Sequence, residues 1–110
     1  MAEITLQQVS PTGLNNVVMG QAALLDTAQV GDNKKLVVRN ADAAPHTVTI
    51  AVPGNSFVGV ANPDLAVVIA AGNLAIIPLL DAYADSTQNG RAVVTYDATP
   101  ATLTRAVVAF

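Results

Sequence analysis

The sequence predicts an all-β fold: a single antiparallel β-sandwich or jelly-roll-like domain with an extended N-terminal arm. Three observations support this class. About six to eight short apolar runs are separated by Gly, Pro, Asn and Asp turn residues roughly every ten positions. Residues 46–52 alternate strictly between apolar and polar side chains, which is typical of a half-buried strand. No long segment keeps the apolar spacing of an amphipathic helix.

The individual elements follow from local composition. Residues 1–13 are predicted to form the arm and residues 14–110 the sandwich, in which residues 15–25 could be a strand or a short helix. One helical turn is predicted at residues 82–85, and Asn89-Gly90 is a turn pair that can adopt positive φ. An irregular loop or short edge strand is predicted at residues 57–64. Further strands are predicted at residues 36–40, 46–52, 91–97 and 103–110.

The most apolar stretch is "LAVVIAAGNLAIIPLL", residues 65–80, which has no charged side chain. It is too short for a bilayer, which requires about 20 apolar residues in a helix, and Gly72-Asn73 and Pro78 interrupt it. It is therefore predicted to be a β-hairpin or a corner between two sheets.

Because this stretch is apolar on both faces, one face needs cover from a loop, the arm or another chain. The predicted interaction residues lie in the arm, in this stretch and at the C-terminus: Ile4, Leu6, Val9, Leu65, Val67, Ile76, Leu79 and Phe110.

The low charge content bears on the protein's surface. Only 12% of the 110 residues are charged, while 52% are hydrophobic. A typical soluble domain carries about twice this share of charge. Two explanations remain open from composition: the chain buries surface against neighbours, or its Ala, Ser, Thr, Asn and Gln residues provide a neutral surface.

Charge and composition also bear on partners. The net charge of −3 argues against nucleic-acid binding, which needs clustered Lys or Arg. The N-terminus lacks the basic and apolar regions of a signal peptide, and no segment predicts a membrane span. There is no cysteine, so disulfide and zinc-thiolate chemistry are excluded.

The candidate chemical groups do not indicate an enzyme. His46 is the single histidine, and Asp42, four residues before it across a proline, is not at a suggestive spacing. The aspartates are predicted to lie in turns, where they cap their own backbone; this interpretation includes Asp26. "DAYAD", residues 81–85, offers two carboxylates to calcium, fewer than such a site needs. No cofactor or metal site is predicted.

A family resemblance involves most of the chain. The order "KKLVVRNADAAPHTVTIAVPG … VVIAAGNLAIIPL … RAVVTYDATPATLTRAVVAF" resembles small structural proteins encoded among the head genes of tailed bacteriophages. The matching segments are residues 37–40, 47–54, 67–78 and 93–96, within a resemblance that covers about residues 34–110. Where that group often has "I-G-P-F", this chain has "I-I-P-L".

The resemblance implies a capsid decoration (cement) protein: a homotrimer on the outer surface of the virion that binds the major capsid protein and is made in the host cytoplasm. The arm would reach a neighbouring subunit by strand addition. Deleting residues 2–12 is then expected to weaken binding to the shell and leave the fold intact. Two alternatives remain open: a head–tail connector or tail-tube subunit, and a carbohydrate-binding module that uses Tyr83 and Tyr96.

Overall fold

The structure is a computed structural model that describes residues 2–9, 17–23, 25–54, 59, 62–97 and 103–109. Most of these residues lie in strands, as the many β-branched side chains favour. In chain order the strands are β1 (Ala2–Glu3), β2 (Leu6–Gln8), β3 (Gly20–Gln21), β4 (Leu25–Ala28), β5 (Lys34–Asn40), β6 (His46–Ile50), β7 (Leu65–Ile69), β8 (Leu74–Pro78), β9 (Ala92–Tyr96) and β10 (Leu103–Ala109).

The strands form two sheets, so the predicted all-β sandwich is confirmed. The first sheet has the order β1-β4-β9-β6-β7, and the second has the order β2-β10-β5-β8, with β3 also pairing with β10. The pairings are antiparallel except β1 with β4 and β2 with β10.

The core lies between the two sheets. Alternate residues of β6 and β9 (Val48, Ile50 and Val94) point into it from the first sheet. Leu36 and Val38 of β5 meet them from the second sheet. Each strand contributes one apolar face because side chains alternate across a sheet.

The N-terminal segment joins the edges of both sheets of its own chain. β1 pairs with β4, and β2 then pairs with β10. Between them Ile4 is buried in the core, and its N–H donates to the Thr27 carbonyl at 2.9 Å. The expectation that residues 2–12 can be removed with the fold intact is therefore corrected, because deletion would take Ile4 out of the core. To reach a neighbouring subunit, residues 2–9 would first have to leave these pairings.

The apolar stretch is a corner between the sheets. β7 pairs with β6 and β8 pairs with β5, so the two strands lie on the outer edges of different sheets. The turn between them is closed by the Asn73 N–H, which donates to the Ala70 carbonyl at 3.0 Å, and Gly72 has a φ of 77°. The stretch is therefore a corner between two sheets and not a β-hairpin within one sheet.

Two local predictions are corrected. Residues 25–28 form strand β4, and Asp26 lies in this strand, fully buried. The sequence predicted a turn at Asp26, because it does not show the partner with which this charged residue is buried in a strand. Near the predicted helical turn there are two 3₁₀ turns, Asp81–Tyr83 and Ser86–Gln88. The positive φ predicted at Asn89-Gly90 is confirmed, with values of 57° and 77°.

Candidate functional site

The outer strands β7 and β8 carry exposed apolar side chains. Inward-pointing residues alternate with outward-pointing ones along both strands, so half of each strand faces solvent. Four large residues are exposed, and together they define what we call the β7–β8 edge: Val68 (69% exposed), Leu74 (52%), Ile76 (64%) and Leu80 (46%). Exposed large apolar side chains on an outer strand are typical of interaction sites.

The backbone at this edge is open as well. The Leu79 N–H donates to the Lys34 carbonyl, and the Asn40 N–H donates to the Asn73 carbonyl, at 3.0 and 2.9 Å. Hydrogen-bonded pairs alternate along an antiparallel ladder, so in β8 the residues 75 and 77 bond to β5. Leu74 and Ile76 therefore point their N–H and C=O groups away from the sheet. No described strand pairs with that side of β8.

Only part of the predicted interaction set lies at this edge. Leu65 and Val67 of β7 pack on the core, and Leu79 is fully buried, whereas Ile76 is exposed. In the N-terminal segment Ile4 is buried, and Leu6 is partly buried and packs against the core. Val9 is half-buried, and Phe110 lies outside the described residues.

Sequence reasoning missed Val68, Leu74 and Leu80. The period-two alternation within residues 65–80 contained this information, because Ile69 and Ile77 fix which positions face the core. The apolar character of both faces concealed it. Only the pairing of β7 and β8 with different sheets shows which face is covered.

Cations line the second sheet beside β8. Arg39 of β5 pairs with Leu74 and is exposed, and Lys35 pairs with Pro78. Both point to the outer face, because Leu36 and Val38 point to the core. The Nζ of Lys35 donates to the Asp32 carbonyl at 3.2 Å.

A cluster of His46, Asp42 and Asp97 lies at the start of β6. His46 Nε2 is 2.7 Å from Asp42 Oδ2, and Nδ1 is 3.0 Å from Asp97 Oδ1. The hydrogen bond to Asp42, followed by that to Asp97, raises the pKa of His46. The same bond from His46, helped by the Ala43 N–H, lowers the pKa of Asp42. The cluster ties the β5–β6 turn to the end of β9.

The sequence contained one half of this cluster. Asp42 is four residues from His46, but Asp97 is 51 residues away and comes close only because β6 pairs with β9. Both ring nitrogens are occupied by carboxylates, so the imidazole is held in place and has no nitrogen left to act as a base on a substrate.

A buried ion pair links the two sheets. Arg105 Nε donates to Asp26 Oδ2 at 2.8 Å, and Nη2 donates to Oδ1 at 3.2 Å. The Tyr96 hydroxyl donates to the same Oδ2 at 2.6 Å. Burial, and then the hydrogen bond to Asp26, raise the pKa of Tyr96. The carboxylate is thus saturated with donors, and the network fixes the position of one sheet on the other.

A depression of about 410 Å³ lies beside this network, between residues 3–7 of the N-terminal segment and β10. Two of its polar lining side chains, Gln7 and Arg105, are already bonded. The Gln7 amide donates to the Val18 carbonyl at 2.8 Å and accepts from the Val18 N–H at 2.9 Å. Arg105 bonds to Asp26, as described above. The Gln7 and Arg105 side chains at the wall of the depression therefore have internal structural roles.

The other candidate groups have local roles. Asp85 accepts from the N–H and the hydroxyl of Thr87, at 2.9 and 2.7 Å, as in a helix cap. Tyr83 is buried, and the Tyr96 hydroxyl is engaged inside the sandwich, so the two tyrosines do not form a shared exposed platform. Within the described ranges no group of three or more His, Cys, Asp or Glu side chains could hold a metal ion.

Fold and site together define an all-β sandwich whose distinctive surface is the β7–β8 edge. Comparisons with models of protein families, with curated proteins and with solved structures gave no match. Among the helices that the structure describes, none is long and apolar enough to span a membrane.

Proposed function

We propose that the protein is a non-enzymatic structural component of a bacteriophage virion, a capsid decoration (cement) protein. It binds the outer surface of the head and stabilises contacts between major capsid protein subunits. The observation that carries the proposal is the β7–β8 edge, where exposed apolar side chains coincide with strand backbone that no described strand pairs. Soluble proteins usually protect such edges with charges, bulges or cover. A neighbouring subunit would supply that cover.

The resemblance of residues 34–110 to phage head proteins supports the same function. Two of its segments, residues 37–40 and 67–78, include most of β5, the corner and β8. A cement protein needs contact surface and no catalytic group, and the polar clusters of this chain are engaged in internal contacts. We extend the proposal to a homotrimer, as the resemblance implies.

The deciding experiment is the copy number of the chain in purified virus particles, measured by quantitative mass spectrometry against the major capsid protein. One copy per coat subunit, or three per three-fold position, supports decoration. A handful of copies per particle would instead place the protein in the connector or tail, and its absence from particles would contradict the proposal. Sedimentation of the free protein reports whether it is a trimer before binding.

The carbohydrate-binding alternative is tested separately. Tyr83 is 9% exposed, so a sugar could stack on it only after the 3₁₀ turn had moved. Glycan-array binding that is lost in Tyr83→Ala, in a protein that remains folded, would favour this alternative over the virion function.

A further inference from the structure

Strand β8 has the backbone groups needed to accept one more strand. Its outward side offers the N–H groups of Leu74 and Ile76 and the C=O groups of Leu74, Ile76 and Pro78. Within the described part of the chain, none of these five groups has a backbone partner. Because the side chains of Leu74 and Ile76 are also exposed, an added strand would gain backbone hydrogen bonds and apolar contacts together.

The edge of β7 is a poorer acceptor. Its outward residues are Ala66 and Val68, which offer less apolar surface than Leu74 and Ile76. At its start β7 is tied to the end of β6, because the Asp64 carboxylate accepts from the Val52 N–H at 3.3 Å. Strand addition is therefore favoured at β8.

Arg39 gives the β8 edge an electrostatic preference. Two of the other cations are neutralised: Arg91 lies 2.9 Å from Glu3, and Arg105 lies 2.8 Å from Asp26. Arg39 makes no ion pair with any residue that the structure places. It lies on the outer face directly across from Leu74. A strand added to β8 would lie two strand spacings, about 9.6 Å, from β5. The side chains of Arg39 and of a glutamate on the added strand together span this distance.

Both ends of β8 have a cation beside them on the outer face. Arg39 lies across from Leu74, and Lys35 lies across from Pro78, where its Nζ donates to the Asp32 carbonyl and Asp81 follows Leu80 in the chain. A carboxylate opposite Leu74 is attracted to Arg39 and lies at the end of β8 away from Asp81.

A second copy of the chain fits the edge less well. An antiparallel β8–β8 pairing centred on Ile76 places Pro78 opposite Leu74 of the other copy, and proline has no N–H to donate. The same row then contains Arg39 of one copy and Lys35 of the other, which are like charges. Both effects favour a partner with a different sequence.

We infer that β8 accepts an extended segment of another protein by strand addition, and that this segment is apolar at alternate positions with an Asp or Glu opposite Leu74 that binds Arg39. The inference rests on the proposed function for the identity of this partner, the major capsid protein. The chemistry that we infer for the β8 edge does not depend on the proposed function.

The test uses the full chain and two synthetic eight-residue peptides of alternating Val and Thr, one with a Glu near one end and one with a Lys there. Amide hydrogen exchange of Leu74 and Ile76 is followed by NMR. We expect the Glu peptide to slow both amides and to bind about tenfold more tightly than the Lys peptide. In Arg39→Glu the preference should reverse. Ile76→Lys should weaken binding of the Glu peptide, while Val68→Lys on β7 serves as the matched control.

The inference is overturned if neither peptide slows the Leu74 and Ile76 amides, if Arg39→Glu leaves the preference unchanged, or if Val68→Lys weakens binding as much as Ile76→Lys. Occupancy of the wild-type protein on particles that lack it reports the proposed function independently. Peptide binding without particle binding would contradict the virion function alone, and particle binding without peptide protection at β8 would contradict the edge inference alone.

Discussion

Arg105 of one sheet donates through Nε to Asp26 of the other at 2.8 Å, and Asp26 is fully buried. Removing one partner leaves an uncompensated charge in the core, so Asp26→Ala should lower the free energy of unfolding by about 3–5 kcal/mol. The double variant Asp26→Leu with Arg105→Leu should recover part of this loss, because the unpaired charge is removed but the Tyr96 hydroxyl still loses its acceptor. Urea denaturation measures both.

The control for this pair is the exposed ion pair between Glu3 and Arg91, at 2.9 Å, in which the Glu3 side chain is 55% exposed. Glu3→Ala should lower stability by less than about 1 kcal/mol. Equal losses in Asp26→Ala and Glu3→Ala would show that burial does not set the strength of the sheet-to-sheet pair.

The His46 cluster should make stability depend on pH. His46 has a folded pKa above its ordinary 6.5, so it stabilises the fold fully below pH 6.5, and this contribution is lost as the pH rises through the raised pKa. Asp42 has a folded pKa below 3.8, so its contribution is present above pH 3.8 and is lost as the pH falls through the lowered value. The groups that face the imidazole are Asp42 and Asp97.

The measurement is the stability difference between wild type and His46→Gln across this range, together with an NMR titration of the imidazole. We expect the stability difference between wild type and His46→Gln to be largest between pH 3.8 and pH 6.5, and to shrink as the pH rises through the folded pKa of His46. In Asp97→Asn the imidazole should titrate at a lower pH than in wild type. A difference that stays constant with pH would rule out the cluster as its source.

Asn40 should be a sensitive position. It is fully buried, and its Nδ2 donates to the carbonyls of Ala44 and Ile69 at 2.9 Å each, while Oδ1 accepts from the Asp42 N–H at 3.0 Å. Asn40→Ala leaves these groups unpaired and should destabilise the fold by about 2–3 kcal/mol in thermal or urea unfolding. Asn73→Ala, at an exposed asparagine, should change stability by less than about 0.5 kcal/mol.

The two isoleucines of β8 should respond oppositely to charge. Ile76 is 64% exposed and Ile77 is 4% exposed, although they are adjacent. Ile76→Lys should keep the melting temperature close to wild type and weaken binding to particles, whereas Ile77→Lys should unfold the protein. If both variants unfolded, the outward orientation of Ile76 would be refuted.

Ile4 should contribute to the core like a residue of a central strand. It is 4% exposed and lies between β1 and β2. Ile4→Ala should reduce stability by about 2–4 kcal/mol, and deletion of residues 2–9 should reduce it further, because two sheet edges also lose their pairing. Thr5→Ala, at the exposed neighbour, is the control. A deletion that melted like wild type would show that this segment is a separate arm.

The fold class could be predicted from the sequence because it depends on local patterns. The alternation in β6 and β9 and the turn residues around them specify strands with one buried face. Strand β4 was missed because Asp26 resembles a turn residue until its partner Arg105, 79 residues later, is known. Asp97 was likewise separated from His46 by 51 residues.

The sequence by itself determined that this chain is a β-sandwich and that residues 65–80 make a sharp turn between two apolar strands. Tertiary structure decided that these strands form the outer edges of different sheets, that Ile76 is exposed while Leu79 is buried, and that Ile4 belongs to the core. The physical reason is that alternation specifies two faces for each strand. Only the pairing of distant strands determines which face and which edge remain open to a partner.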